Sequence, residues 1–317
     1  MFIDTHVHLG GCITSEFVWE VIQENDLYYL GENLTDVISA MQFGPEEEPN
    51  FHRFLDKFKI LDKIKWDRNL IDRSIKSVCD YMDKNNVDYA WMRFSINKYM
   101  DCMDWHKHEA IEFIYDTFEQ YRPGKIGLIL SLKYESLRAS QRQYAKLIEN
   151  ENVAEKLIGI DLVGDEAYFD AEFYQPIFKE WKEANKILCA HVGESQSVDN
   201  IRKAIEIMQV TNVAHGLKIV EDEELIQIAL DKDICFDMAI TSNYVTGICK
   251  DFSKHPIHAM LGHGLTITIG TDDPVQCNTN MSKEYSILKK DVGLTDDSCN
   301  KIMANARAVT EKNNLIK

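Results

Sequence analysis

Eight short runs of β-prone residues, each followed by a more polar stretch with helical spacing, predict an α/β fold. A length of 317 residues suits one large barrel domain better than a sandwich or a bundle. The runs lie within residues 1–11 and at 87–94, 125–132, 157–163, 187–192, 212–215, 234–238 and 266–271. Histidine, glutamate and aspartate recur where these runs end, and in a closed parallel barrel those ends share one rim. The expected architecture is therefore a TIM (β/α)8 barrel over residues 1–317, a single domain with a long helical insertion after the first strand. There is no fixed-period repeat and no low-complexity tract.

The first strand carries His6 and His8 among Phe2, Ile3, Thr5 and Val7, residues that favour extended backbone. Side chains two apart on a strand point the same way, whereas on a helix they diverge by roughly 200°. The pair can therefore clamp a metal only if the segment is extended. An isolated His-x-His is more often two core histidines, so its meaning depends on residues further along.

Residues 15–86 read as mainly helical, which defines an insertion of about 12–86. Phe17, Val18, Val21 and Ile22 are spaced for one helical face, and Gly44, Pro45 and Pro49 interrupt the pattern. Phe51, Phe54, Leu55 and Phe58 then fall at i, i+3, i+4 and i+7, a face that either packs in the core or lies over a pocket. Beyond residue 87 strand-like and helical runs alternate. His6 and His8 end the first strand, Gly164-Asp165-Glu166 follow the fourth, His191 and Glu194 end the fifth, His215 the sixth, and Asp272-Asp273 the eighth.

Thirty-five Lys and Arg against 52 Asp and Glu leave a net charge of −17, a poor field for a phosphate backbone, so nucleic-acid polymers are not expected partners. No window approaches the ~18 apolar residues a membrane helix needs, and the N-terminus lacks a basic, then apolar, leader, so a soluble cytoplasmic protein is expected. The eight cysteines contain no Cys-x-x-Cys, which argues against a disulfide framework, a cysteine zinc ribbon and the Pro-Cys-x-x-Cys site of cytidine deaminases.

His6, His8, His191 and Asp272 would make an N3O set on the barrel rim, a donor combination that suits one zinc ion with a position open to water. Water on such an ion has a pKa of about 7. Taken singly, His191 could be a satisfied strand-end histidine and Asp272 a turn residue before Pro274. Their joint placement at strand ends favours the metal.

The segments 5–11 (Thr-His-Val-His-Leu-Gly-Gly), 160–166 (Ile-Asp-Leu-Val-Gly-Asp-Glu), 190–194 (Ala-His-Val-Gly-Glu), 213–216 (Val-Ala-His-Gly), 241–243 (Thr-Ser-Asn) and His255-Pro256 with 270–274 (Gly-Thr-Asp-Asp-Pro) together resemble the adenosine deaminase family of amidohydrolase barrels. The resemblance implies zinc-dependent hydrolytic deamination of a purine nucleoside or nucleotide. It implies that Glu194 protonates N1, that His215 orients the attacking water or takes its proton, that Asp273 meets N7, and that the Gly164 N–H meets N3. It also implies a lid helix that sets Phe54, Leu55 and Phe58 against the substrate, with metal ligand His8 close by. Three departures stand out. Gly10 replaces the aspartate that holds the ribose 5′-hydroxyl, Ala239-Ile240 replaces a Cys-Pro, and Trp91 stands where a glutamate is expected near strand two. A 5′-modified adenosine or another aminopurine is therefore a candidate beside adenosine. The alternatives are an amidohydrolase that cleaves another bond and a silent binding protein. Glu194 and the 164–166 stretch suit a purine ring better than an ester or amide, and a silent descendant would have little reason to keep the ligands. No oligomeric state is implied.

Overall fold

The computed structural model describes residues 1–97, 105–136 and 142–316. Eight strands, β1 (Phe2–His8), β2 (Val87–Phe94), β3 (Ile126–Lys133), β4 (Leu157–Val163), β5 (Ile187–Val192), β6 (Asn212–His215), β7 (Cys235–Met238) and β8 (Thr266–Ile269), run parallel and pair in chain order. Beyond the end of β8 the seam to β1 is stitched by a parallel bridge between Val7 and Asp272. There the His8 N–H donates to the Asp272 carbonyl at 2.8 Å and the Asp272 N–H to the His6 carbonyl at 2.7 Å. The result is a nearly closed TIM (β/α)8 barrel. Its strands are buried on both faces, as parallel strands ringed by helices must be, and all six residues of β5 are buried.

β1 is not regular. Asp4 pairs with Ala90 and Val7 with Met92, so Thr5 and His6 together stand opposite Trp91. This bulge moves the inward-facing set from odd to even positions. Thr5 still reaches Thr268 on the adjacent β8 at 2.8 Å, and His6 and His8 then face the same space above it. Gly270 lets β8 pass close to β1, since a Cβ there would lie 2.4 Å from the His6 Cβ and 2.5 Å from its carbonyl oxygen.

Between β1 and β2 come α1 (Ser15–Glu24), α2 (Leu34–Met41), α3 (Phe51–Asp56), α4 (Lys59–Asp62) and α5 (Arg68–Lys84). Short polar residues start four of them: Thr14, Asn33, Asn50 and Asp67 each accept a hydrogen bond from a first-turn backbone N–H. Two expectations need correction. The apolar face at 51–58 is not one helix, because the N–H groups of Lys57 and Phe58 bond carbonyls only three residues back, which tightens the turn and ends α3. The segment 12–86 is also not all insertion. α5 packs against β2 and the helix Lys107–Tyr121, in the place of an outer-ring helix of the barrel, so the added cover ends before it.

Seven of the cysteines are buried free thiols, and Cys102 lies outside the described residues. Among the described residues no helix is long and apolar enough to cross a membrane.

Candidate active site

All four predicted ligands meet. One donor atom from each of His6, His8, His191 and Asp272 lies within 4.8 Å of all the others. The His6 and His191 Nε2 atoms are 3.1 Å apart, and Asp272 Oδ1 is 3.4 Å from His6 Nε2 and 3.3 Å from His8 Nε2. Zinc–nitrogen bonds of about 2.0–2.1 Å in a tetrahedron set neighbouring ligand atoms roughly 3.3 Å apart, so the spacing fits such an ion. The charge states of the first-strand pair fit as well. Burial lowers His6 well below its usual pKa and His8 to about 4, leaving neutral imidazoles whose lone pairs are free to ligate. Burial opposes charge on His191 too, but Asp161 outweighs it and raises the ring. His191 Nδ1 lies 3.2 Å from Asp161 Oδ1 and 3.0 Å from the Leu162 carbonyl, which turns Nε2 toward the cluster.

Asp272 divides its oxygens. Oδ1 faces the histidines, while Oδ2 accepts from the Ser242 hydroxyl at 2.6 Å. Burial alone would raise this carboxyl, but the facing nitrogens of His6, His8 and His215 hold it well below the usual range. Asp272 and His215 both adopt left-handed backbone, with φ of 60° and 63°. Such geometry costs of order 1–3 kcal/mol for a residue other than glycine. The seam hydrogen bonds hold Asp272 in it.

Three buried carboxylates brace the segments that carry these groups. Glu166 accepts from the backbone N–H groups of Gly193, Glu194, Ser195 and Gln196 at 2.7–3.2 Å, and from the Asn200 amide at 3.0 Å. The turn bearing Glu194 is thereby wrapped around one carboxylate. Glu284 accepts from the N–H groups of Ile240 and Thr241 at 3.0 and 3.2 Å, just before Ser242 and Asn243. Asp4 accepts from the Thr271 hydroxyl at 2.6 Å, next to Asp272.

Glu194 itself is pushed up to about 8, mainly by burial and further by Asp272 and Glu166. Its carboxyl is therefore mostly protonated at neutral pH. Asp273 is raised well above the usual range by burial and by the adjacent Asp272, which makes it a donor as well. Gly11 gives Asp273 room, since a Cβ there would come within 2.2 Å of its Oδ1. His215, lowered to about 3 by burial, points Nε2 at Glu194 Oε1 (3.8 Å) and Asp272 Oδ2 (3.9 Å).

These groups line a cavity of about 590 Å³, within the range of small-molecule sites. Gly164, with φ of 103°, lies on its wall. Phe54, Leu55 and Phe58 line it too, although Phe54 is buried and Leu55 is 45% exposed. Gly10 is on the wall as well, and a Cβ there would meet nothing within 4 Å. The other departures fall outside the reacting cluster. Trp91 packs with Tyr89, Ile129, Ile187 and Cys189 inside the barrel, and the Ile240 N–H supplies a bond to Glu284 that a proline could not.

Sequence reasoning passed over Arg93, which is buried below the ligands. It donates to Asp161 at 2.6 Å, to Asp237 at 3.2 Å and to the Thr5 carbonyl at 2.8 Å, so it fixes the carboxylate that orients His191. The one available signal was an arginine at an inward position of a strand whose other charged residue is Asp88. Glu166 was noted only as following β4. Its role as a loop anchor depends on a turn 28 residues away and has no local signature.

The family model for adenosine deaminase matches residues 2–311. An adenosine deaminase from Pseudoalteromonas translucida is 27% identical over 309 residues, covering 96% of this chain and 91% of its own length. Among solved structures, the N6-methyl-AMP deaminase from Arabidopsis thaliana has a TM-score of 0.80 at 20% identity, covering 100% of this chain and 92% of that one. An amidohydrolase from Burkholderia ambifaria with bound Zn has a TM-score of 0.82 at 19% identity, covering 96% and 84%. The match along nearly the whole chain makes this protein a member of the adenosine deaminase family and a hydrolytic deaminase.

Proposed function

We propose that this enzyme converts a 6-aminopurine nucleoside or nucleotide, adenosine or a 5′-modified adenosine, to the 6-oxopurine and ammonia, using one zinc ion per chain. The observation that carries the reading is the convergence of three imidazole nitrogens and one carboxylate oxygen beside a carboxyl that holds its proton at neutral pH. His6, His8, His191 and Asp272 would hold the ion, which when bound supplies Lewis acidity and lowers the pKa of water.

The remaining chemistry belongs to the side chains. Water oxygen attacks C6, and the ring needs a proton on N1 as C6 becomes tetrahedral. Glu194 supplies it; the carboxylate so formed takes the protons that the attacking water sheds, passes one to the departing amine and ends protonated again. His215 orients the attacking oxygen, the protonated Asp273 donates to N7, and the Gly164 N–H donates to N3. Phe54, Leu55 and Phe58 cover the ring and exclude water, so the barrel and its helical cover act as one catalytic domain.

Gly10 supports a substrate extended at the 5′ position. It leaves both space and the absence of a carboxylate where the ribose 5′-end would lie, and one structural relative acts on a 5′-phosphorylated nucleoside. The test is an ammonia-release screen over adenine, adenosine, 5′-methylthioadenosine, AMP and N6-methyl-AMP, with metal analysis of the same sample. Turnover of a 5′-extended aminopurine above adenosine supports the reading. A clear, efficient preference for adenosine rejects the 5′-modified part, and no turnover of any aminopurine rejects the whole.

A further inference from the structure

We infer that His255 and Asn243 act as positioning residues that fix the tautomer of His215, so that its Nε2 carries the hydrogen and faces the reacting oxygen as a donor. The inference rests on the deaminase reading for its consequence, but its geometry stands alone.

The chain of hydrogen bonds can be followed from a group whose role is unambiguous. The backbone N–H of Ile257 lies 3.2 Å from His255 Nδ1. An amide N–H can only donate, and Pro256 between them has none of its own, so Nδ1 must accept. His255 is buried, which lowers it to about 4 and keeps it neutral at pH 7. Its single hydrogen therefore sits on Nε2, 3.2 Å from Asn243 Oδ1. With its oxygen committed to His255, Asn243 presents its NH2 to His215 Nδ1 at 3.0 Å. That amide nitrogen can only donate, so His215 Nδ1 must accept and the hydrogen of His215 goes to Nε2. Asn243 and His215 are also buried, which limits any exchange of partners with solvent.

On its sequence context alone His215 could either orient the attacking water or take its proton. A neutral imidazole with hydrogen on Nε2 has no lone pair to offer on the side that faces Glu194 and Asp272. His215 therefore orients the oxygen by donating to it and keeps its own proton. Asn243 and His255 touch neither substrate nor metal ligand in this scheme; they act through His215.

The decisive experiment is a long-range proton–nitrogen NMR spectrum of the metal-loaded protein labelled with ¹⁵N-histidine, with His215 assigned by comparison with His215→Gln. The expected result is a bare Nδ1 and a protonated Nε2 on His215. A hydrogen on Nδ1 with Nε2 bare overturns the inference, whether or not any variant folds. The variant Asn243→Asp is nearly isosteric but accepts from both rings, so it should draw a hydrogen onto His215 Nδ1. Loss of a preorganised donor typically lowers turnover by about 10²–10³-fold, and that fall is expected here with metal content unchanged. An Asn243→Asp protein with an unaltered His215 spectrum and unaltered kcat also overturns it. The spectrum is read without substrate, so a protein that shows Nε2–H yet deaminates nothing supports this inference while removing the deaminase reading.

Discussion

Burial holds a proton on Glu194 that a solvent-exposed glutamate would lose, and this makes it suited to be a general acid at neutral pH. Replacing it with Gln keeps the shape and removes the acid. Steady-state ammonia release should fall by at least ~10²-fold while metal content stays constant. The pH dependence has a definite sign. The raised carboxyl is protonated below about 8, so activity is retained there and declines as pH rises through that value. A rate profile in which activity climbs steadily above pH 8 would contradict this role for Glu194.

At this scale the sequence was legible where a residue type itself implies chemistry, as for the histidines, Glu194 and Asp272-Asp273. It was less legible where a residue acts through another. Asn243 and His255 were visible only as parts of matched segments, because their function lies in a hydrogen-bond path from the helix Ile240–Val245 to the segment at His255. Arg93 and Glu166 likewise depend on partners distant in the chain.

The seam between β1 and β8 is where fold and chemistry meet, because the backbone bridge that closes the barrel uses Asp272 itself. Gly270 permits the approach. In Gly270→Ala the new Cβ would press on His6 backbone and Cβ atoms, so β8 must retreat from β1. Overpacking of this kind costs about 1–3 kcal/mol, and the variant should both melt earlier and lose metal. Calorimetry with metal analysis checks this, and normal stability with full metal would show that the seam is soft.

Strand positions were read well because the runs are short, apolar and bounded, and four of them, 87–94, 157–163, 187–192 and 212–215, coincide with strands residue for residue. The β1 bulge was not legible, because two successive inward residues, Thr5 and His6, leave no trace in a pattern already mixing β-branched and polar side chains. The break in the 51–58 helix was hidden for the opposite reason: its apolar spacing is ideal, and the backbone turn at Lys57 and Phe58 overrides it.

At the scale of the whole molecule, a rigid barrel carries the reaction groups on one rim while the helices after β1 close one side of the cavity. Specificity then depends on what the wall leaves open. At Gly10→Asp the added Cβ would meet nothing within 4 Å, so the backbone there has room for a side chain. A charge-assisted hydrogen bond worth about 1.5–3 kcal/mol should raise kcat/KM for adenosine over AMP by about tenfold or more. An unchanged ratio would place the ribose 5′-end elsewhere in the cavity.

Deamination in this barrel requires four side chains to meet around one ion, and metal stoichiometry measured on purified protein tests that directly. One equivalent of zinc is expected in the parent protein and in Glu194→Gln, with most of it lost in Asp272→Ala. A full equivalent retained by Asp272→Ala, or none bound by the parent under zinc-replete conditions, would contradict the account.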